Sequence, residues 1–301
     1  MFILAKVAYL TKSSSENLPA NFAAAFAAHL RDTDRGNSAH IYAGEVKRFG
    51  EWTAERYGQF HPWFVTPLDL VEYRRWLQEG KRKASTVNRI LTSLRVFFAW
   101  LESTGQIQGN PAKGIKSVAV NEKLAPKWLS RRDQAAFVHA VRGSRDQAMV
   151  ALMLHAGLRV NEVCHLARED IQIFERKGSV EVRQGKGNKA RTVPLNKTAR
   201  KILSDWLDRN PDGPLFPNKF GRPIGTRGVR KMVEESAYRA KLTEVTPHTL
   251  RHVFCKNLVD MGVPLDQVAM LAGHSSLDVT KRYTAPSMAD LQAAVDRASW
   301  E

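Results

Sequence analysis

The sequence has only two cysteines in 301 residues, Cys164 and Cys255, each alone in an apolar setting. Neither has the paired spacing of a zinc site and two isolated thiols make no disulfide framework, so both are expected as buried, reduced side chains of a cytosolic protein. Long apolar runs are missing as well. None reaches the roughly 18 residues that a spanning helix needs, which argues against a membrane protein. Residues 1–10 are apolar, but Lys6 interrupts them and no cleavage-type site follows; they are expected to be a packed terminal segment and not a signal peptide. There is no internal repeat and no low-complexity tract. The glycines around Lys186 lack the phosphate-loop spacing followed by Lys-Ser/Thr, which excludes that mode of nucleotide binding. Acidic residues are in short supply, 30 Asp+Glu against 46 Lys+Arg, leaving a formal charge of +16. Such a surplus points to a polyanionic partner, nucleic acid before an anionic membrane surface.

What is present is enough apolar residue, 43% of the chain, to build two cores in a chain of this length. Apolar positions recur at helical spacing through 22–30, 41–57, 68–77 and 87–101, with breaks at Gly36, Pro62 and Gly80, so 1–106 reads as a small helical bundle. A stretch of weak periodicity follows, carrying Lys113, Lys116, Lys123 and Lys127, and 107–127 is expected to be a linker. Ser130 opens the next segment as a helix cap with Asp133 three residues on. An apolar helix over 146–156 closes at Gly157. Residues 179–195 alternate about the polar turn 185–189, the pattern of a β-hairpin, and helices are expected again over 196–208, 226–240, 248–261, 264–272 and 287–299. The fold class is therefore mainly α with a small antiparallel β-sheet. Residues 1–115 carry 15 Lys+Arg against 10 Asp+Glu, net +5, and 116–301 carry 31 against 20, net +11. Both parts are basic, as two domains gripping one duplex would be.

Side-chain cleavage of a phosphodiester needs a nucleophile, cations to hold the charge that builds on phosphorus, and a proton for the leaving oxygen. Arg159 follows a glycine turn at a helix start, with Glu162 three residues on to orient its guanidinium; a surface ion pair is the competing reading. His248 and Arg251 share a helical face behind Pro247, where free backbone N–H groups also favour anions. His252 beside them is expected to pack or to hydrogen-bond structurally. Lys186 and Lys189 sit at the hairpin tip. His274 follows the helix-ending Gly273, and Tyr283 lies in a basic, loop-like setting nine residues later.

Taken in order, Gly157-Leu-Arg159-Val-Asn-Glu162, Gly185-Lys-Gly-Asn-Lys-Ala-Arg191, His248-Thr-Leu-Arg251-His252, Leu271-Ala-Gly-His274 and Tyr283 resemble the tyrosine recombinases, the phage-integrase family, and its simple Xer-type members in particular. The segments 85–90 and 94–100 through Asn110-Pro111 are similar to the last helix of that family's core-binding domain. The resemblance covers 16–290. It implies a helical core-binding domain over 1–106, a linker over 107–127 and a catalytic domain with a tail helix over 128–301, closed as a C-shaped clamp on double-stranded DNA. It implies a site-specific recombinase, with Arg159 and Arg251 on the non-bridging phosphate oxygens and Glu162 supporting Arg159. Lys186, or its rival Lys189, would protonate the leaving 5′-hydroxyl, His248 would assist proton transfer with Tyr283, and His274 would hydrogen-bond the phosphate. Tyr283 would form a 3′-phosphotyrosyl link that a second strand reopens, through a Holliday junction and without metal or cofactor. Lys83, Thr86, Arg89, Arg95, Lys189 and Arg191 are expected on DNA. A homotetramer on paired sites, with or without a second recombinase, and a tail that packs on a neighbouring subunit complete the expectation, in the cytoplasm and on the nucleoid. A type IB-like topoisomerase and a non-catalytic DNA-binding protein on the same fold are the alternatives.

Overall fold

A computed structural model describes residues 18–33, 36–119, 128–183, 190–210, 212–274, 276–284, 292 and 295–298. The chain divides into two compact units, Met1–Glu122 and Lys123–Glu301. Among the described residues no helix is long and apolar enough to cross a membrane.

The first unit packs α1 (Leu18–Arg31), α2 (Ala39–Tyr57), α3 (Pro67–Glu79) and α4 (Ala84–Ser103) around a phenylalanine-rich core. The four apolar stripes read from the sequence supply this core, because each helix has one face to bury. Phe22, Phe26, Phe49, Phe60, Phe97 and Phe98 are all at most 2% exposed and meet largely edge to face, the arrangement that aromatic quadrupoles favour. Helix α3 starts where Thr66 and Asp69 cap each other reciprocally, with Pro67 at the first position. Glu45 is buried in α2 and takes ion pairs from Arg89 at 2.8 Å and Arg48 at 2.9 Å.

Two expectations change here. The expected linker over 107–127 is packed chain as far as residue 119. Ala112 and Ile115 are buried in the helical core, Asn110 donates to the Arg95 carbonyl at 3.0 Å, and Asn88 both donates to and accepts from the Val118 backbone. Weak periodicity marked irregular backbone, and irregular backbone held by two asparagine amides is still part of a domain. Residues 120–127 lie outside the described set. Arg95, expected on DNA, points its guanidinium at the Ile115 carbonyl and fastens this segment to α4. Arg89 shares its charge with Glu45, while Lys83 is exposed at the start of α4 and Thr86 is half-buried in its first turn.

The second unit holds α5 (Arg131–Ala140), α6 (Ser144–His155), α7 (Val160–His165), α8 (Lys197–Arg209), α9 (Thr226–Arg239), α10 (Pro247–Asp260), α11 (Leu265–Ala272) and α12 (Leu277–Lys281). A three-stranded antiparallel sheet has the order β1 (Ile171–Ile173), β2 (Gly178–Val182), β3 (Arg191–Pro194). Helix α6 is buried at every position from Ala148 to Leu154, as a helix apolar on all sides must be. In the sheet, Val180 pairs with Ile171 on one side and Val193 on the other, which turns one apolar face into the core. The hairpin β2–β3 matches the alternating pattern; β1, three residues long, is too short to show one. Ser130 caps α5 by accepting from the Asp133 backbone N–H at 3.1 Å. The hairpin tip with Lys186 and Lys189, and the tail helix expected over 287–299 apart from 292 and 295–298, lie outside the described residues.

Candidate active site

The site is organised by the C-terminal end of α11. The last turn of a helix leaves carbonyls without intrahelical donors, and the aligned peptide dipoles make that end attract cations. Here three consecutive carbonyls each receive a different arginine: Leu271 from Arg191 at 3.2 Å, Ala272 from Arg251, and Gly273 from Arg159 at 2.7 Å. Those arginines come from β3, from the second turn of α10 and from the cap of α7, so one helix end gathers three parts of the chain that are far apart in sequence.

Two glycines make the approach possible. Gly273 ends α11 at φ +63°, and a Cβ there would lie 2.9 Å from the Arg191 guanidinium carbon. Gly157 turns the chain at φ +64° between α6 and Arg159, and a Cβ would stand 2.3 Å from the Phe254 ring. The Gly157 carbonyl accepts a second hydrogen bond from Arg251. Arg251 is thus bridged between two backbone segments and is 2% exposed. Burial, and then the charge of neighbouring Arg159, lower its pKa to about 10; the group remains a cation at neutral pH.

Glu162 holds this cluster together. Its carboxylate accepts from the Arg159 backbone N–H (2.7 Å) and Nη1 (2.8 Å), and from Arg191 Nη1 (2.9 Å) and Nη2 (2.8 Å). Burial alone would raise its pKa, but the hydrogen bonds and charge of Arg191 and Arg159 outweigh that and hold it below the ordinary value. A depressed carboxylate contributes stability that is present above its unfolded pKa and lost as pH falls through the folded one. Glu162→Gln should therefore destabilise the protein by about 3 kcal/mol at pH 7, because two guanidinium groups lose their counter-charge. In melting curves from pH 7 downward, the gap between wild type and the variant should close as the medium becomes acidic. A gap independent of pH would mean that Glu162 is not ionised in the fold.

Arg191 is the clearest difference from expectation at the site. Expected on DNA, its side chain is 11% exposed and faces Glu162 in a bidentate pair. It lies on β3 one residue beyond Ala190, and the alternation of the strand turns it inward. A sequence search finds arginine after a basic hairpin tip and reads DNA contact; only the fold shows a carboxylate waiting for it. Arg159, by contrast, keeps 31% of its side chain exposed, and is the member of the trio open to an incoming anion.

Four aromatic rings line up beside the arginines. His248, exposed in the first turn of α10, meets His252 edge to face with centroids 4.0 Å apart. His252 Nδ1 lies 2.5 Å from the Tyr283 hydroxyl. The Tyr283 ring stacks on His274 at 6.2 Å and 11°, and His274 Nδ1 is 2.8 Å from the Thr280 hydroxyl. Tyr283 is 1% exposed, packed with Phe254, Cys255, Val268 and Ala272. Cys255 joins the two groups: burial raises its thiol pKa, while the Arg251 charge and a hydrogen bond with Tyr283 act against that. The fold thus brings Arg159, Glu162, Arg251, His248, His274 and Tyr283 into one neighbourhood. Arg191, His252 and Thr280 belong to it too and were not singled out for it. The sequence signals for His252 were its place in the stretch His248-Thr-Leu-Arg251-His252 and its position four residues after His248, on the same helical face; neither pointed to Tyr283.

Residues 127–290 match the phage integrase family and residues 23–105 match the phage integrase N-terminal SAM-like domain. The tyrosine recombinase XerC of Thermodesulfovibrio yellowstonii is 33% identical over 294 residues, covering 91% of this chain and 94% of the relative. The tyrosine recombinase XerC of Corynebacterium glutamicum is 34% identical over 250 residues, covering 78% and 79%. Among solved structures, XerH site-specific recombinase bound to palindromic difH substrate shares the fold with a TM-score of 0.72 at 20% identity, covering 97% of this chain and 92% of that one. The Tn1549 transposon integrase in complex with a circular intermediate DNA superposes with a TM-score of 0.71 at 18% identity, covering 92% and 98%. With both of its units matched in order and relatives aligned over nearly their whole length, this chain belongs to the phage integrase family, the tyrosine recombinases, enzymes of site-specific DNA recombination.

Proposed function

We propose that Tyr283 is the nucleophile of DNA strand transfer and that Arg159 and Arg251 hold the phosphate it attacks. The observation that carries this reading is the single helix end that gathers both arginines, with Tyr283 in the same buried cluster as Ala272, whose carbonyl Arg251 binds. Two fixed guanidinium groups match the oxygens of a pentacoordinate phosphorus and favour its extra negative charge over that of the ground state. Glu162 sets the geometry of Arg159, and the Gly157 and Ala272 carbonyls set that of Arg251. His274, held by Thr280, hydrogen-bonds the phosphate, and His248 adds a donor from the exposed start of α10. Lys186, or Lys189 in its place, gives the proton to the departing 5′-oxygen.

The resulting 3′-phosphotyrosyl bond stores the energy of the phosphodiester it replaces. A 5′-hydroxyl from a partner duplex then displaces Tyr283, and two rounds of exchange pass through a Holliday junction. Four copies on paired duplex sites provide the four active tyrosines, with a second recombinase as the other composition of the tetramer. The first unit binds the duplex through Lys83 and Thr86, and the second carries the chemistry, in the cytoplasm and on the nucleoid. Since Arg251 and Tyr283 are both buried and Arg159 is not, docking of the phosphate on Arg159 has to open the pocket to the other two.

A target duplex nicked near the cleavage position tests this, because the short 5′-hydroxyl fragment diffuses away and traps the intermediate. A covalent protein–DNA adduct carrying phosphotyrosine at 283, and exchanged products from two duplexes of unequal length, are expected. Relaxation of supercoils with no exchanged product would place the activity with type IB-like topoisomerases instead. Binding with no adduct would leave a non-catalytic DNA-binding protein.

A further inference from the structure

We infer that His252 is a catalytic residue of this recombinase, the direct acceptor of the Tyr283 phenolic proton. The inference rests on Tyr283 being the nucleophile. A phenol attacks phosphorus only as its proton leaves, and the acceptor has to touch the oxygen. The ring nitrogen on that oxygen is Nδ1 of His252 at 2.5 Å. The resemblance to known recombinases assigns proton transfer to His248, but that ring meets His252 edge to face and is exposed at the helix start, whereas His252 is buried with the phenol.

The surroundings suit the task. Both partners are shielded from water, His252 at 9% exposure and Tyr283 at 1%, so the proton has no bulk solvent to leave to. His252 is fixed by its place on α10 directly after Arg251, whose guanidinium is tied to two carbonyls. Among the described residues, His248 meets His252, and His274 and Cys255 meet Tyr283. Arg251 and Arg159, whose charges act on Cys255, are the permanent cations nearby, and they favour the phenolate as the proton moves away.

The step balances. The Tyr283 Oη–H bond breaks, its proton goes to His252 Nδ1, and the oxygen lone pair forms the bond to phosphorus. The bond from phosphorus to the 5′-oxygen breaks, and that oxygen takes its proton from the lysine of the hairpin tip. When a 5′-hydroxyl reopens the phosphotyrosyl link, the imidazolium returns the proton to the departing phenolate. The direction requires neutral His252 before cleavage and charged His252 before ligation.

Single-turnover adduct formation on the nicked duplex, followed across pH with wild type, His252→Asn and His248→Asn, tests the assignment. Asparagine at 252 keeps an oxygen near the Nδ1 position, so it preserves the hydrogen bond and the fold but is too weak a base to take the proton. Its rate should fall by about 10²–10⁴-fold, DNA binding should hold, and the acid limb of the wild-type rate profile should vanish. On a duplex with sulfur bridging at the 5′ position the leaving group needs no proton, and the His252→Asn defect should persist in full. A His252→Asn rate within about threefold of wild type, or an acid limb that disappears in His248→Asn and survives in His252→Asn, overturns the inference. A wild-type protein that forms no adduct at Tyr283 overturns the proposed nucleophile as well, and so is told apart from a failure confined to His252.

Discussion

Tyr283→Phe is expected to abolish the covalent adduct on a nicked target duplex and to leave duplex affinity unchanged. The substitution removes one oxygen from a side chain that is 1% exposed, so the ring keeps its packing against Phe254, Val268 and Ala272. The structural cost is the hydrogen bond to His252, about 1 kcal/mol, which a fold with a core of this size tolerates. The catalytic cost is total if Tyr283 is the nucleophile, because phenylalanine has no oxygen to attack phosphorus. Denaturing gel analysis of protein incubated with end-labelled DNA reads the adduct, and a native gel reads binding. A shifted, denaturation-resistant band from the Phe protein would show that another residue is the nucleophile.

The second large effect concerns Arg251→Lys. Lysine keeps the charge but has one nitrogen in place of a planar fork. It can satisfy the Gly157 carbonyl or the Ala272 carbonyl, not both, and offers less to a phosphate. Adduct formation should slow by about 10²–10³-fold, the loss typical of removing a positioned donor from a transition state. A buried carbonyl left without its donor should also lower stability by about 2 kcal/mol, read as the urea midpoint. The two readouts separate the roles of the residue. A stability loss with an unchanged rate would make Arg251 a strut of the α7–α11 junction and remove it from the phosphate clamp.

The helix end that receives the three arginines also explains which site residues the sequence disclosed. Arg159, His248, Arg251 and His274 stand in motifs where a turn glycine or a helix start holds the backbone, so their local geometry was legible without knowing what they faced; Tyr283, expected in a loop-like setting, sits in a 3-10 turn over Arg282–Thr284. Glu162 was legible through its i, i+3 spacing from Arg159. The partner of a side chain across the fold was not. Arg191 reads as one more cation near a basic turn, and its bidentate hold on Glu162 depends on β3 lying beside α7. His252 reads as a residue that packs or hydrogen-bonds structurally, and that its partner is Tyr283, 31 positions along the chain, was not legible. Arg95 and the 107–119 segment show the same limit in the first unit: loss of periodicity shows where regular structure stops, not where packing stops.

The sequence alone determined the helical bundle, the hairpin, the cap at Ser130, the basic surplus and the set of residue types suited to phosphodiester chemistry, because each follows from periodicity, turn chemistry or charge over a few neighbouring positions. The tertiary structure alone decided which partner each cation takes inside the protein. Arg89 and Arg95 are engaged within the first unit, by Glu45 and by the Ile115 carbonyl, and Arg191 and Arg159 share Glu162, with Arg191 the more buried of the two. The reason is that a charge goes to whichever buried carboxylate or helix-end carbonyl the folded chain brings within hydrogen-bond reach, and that neighbour is set by packing at long sequence separation.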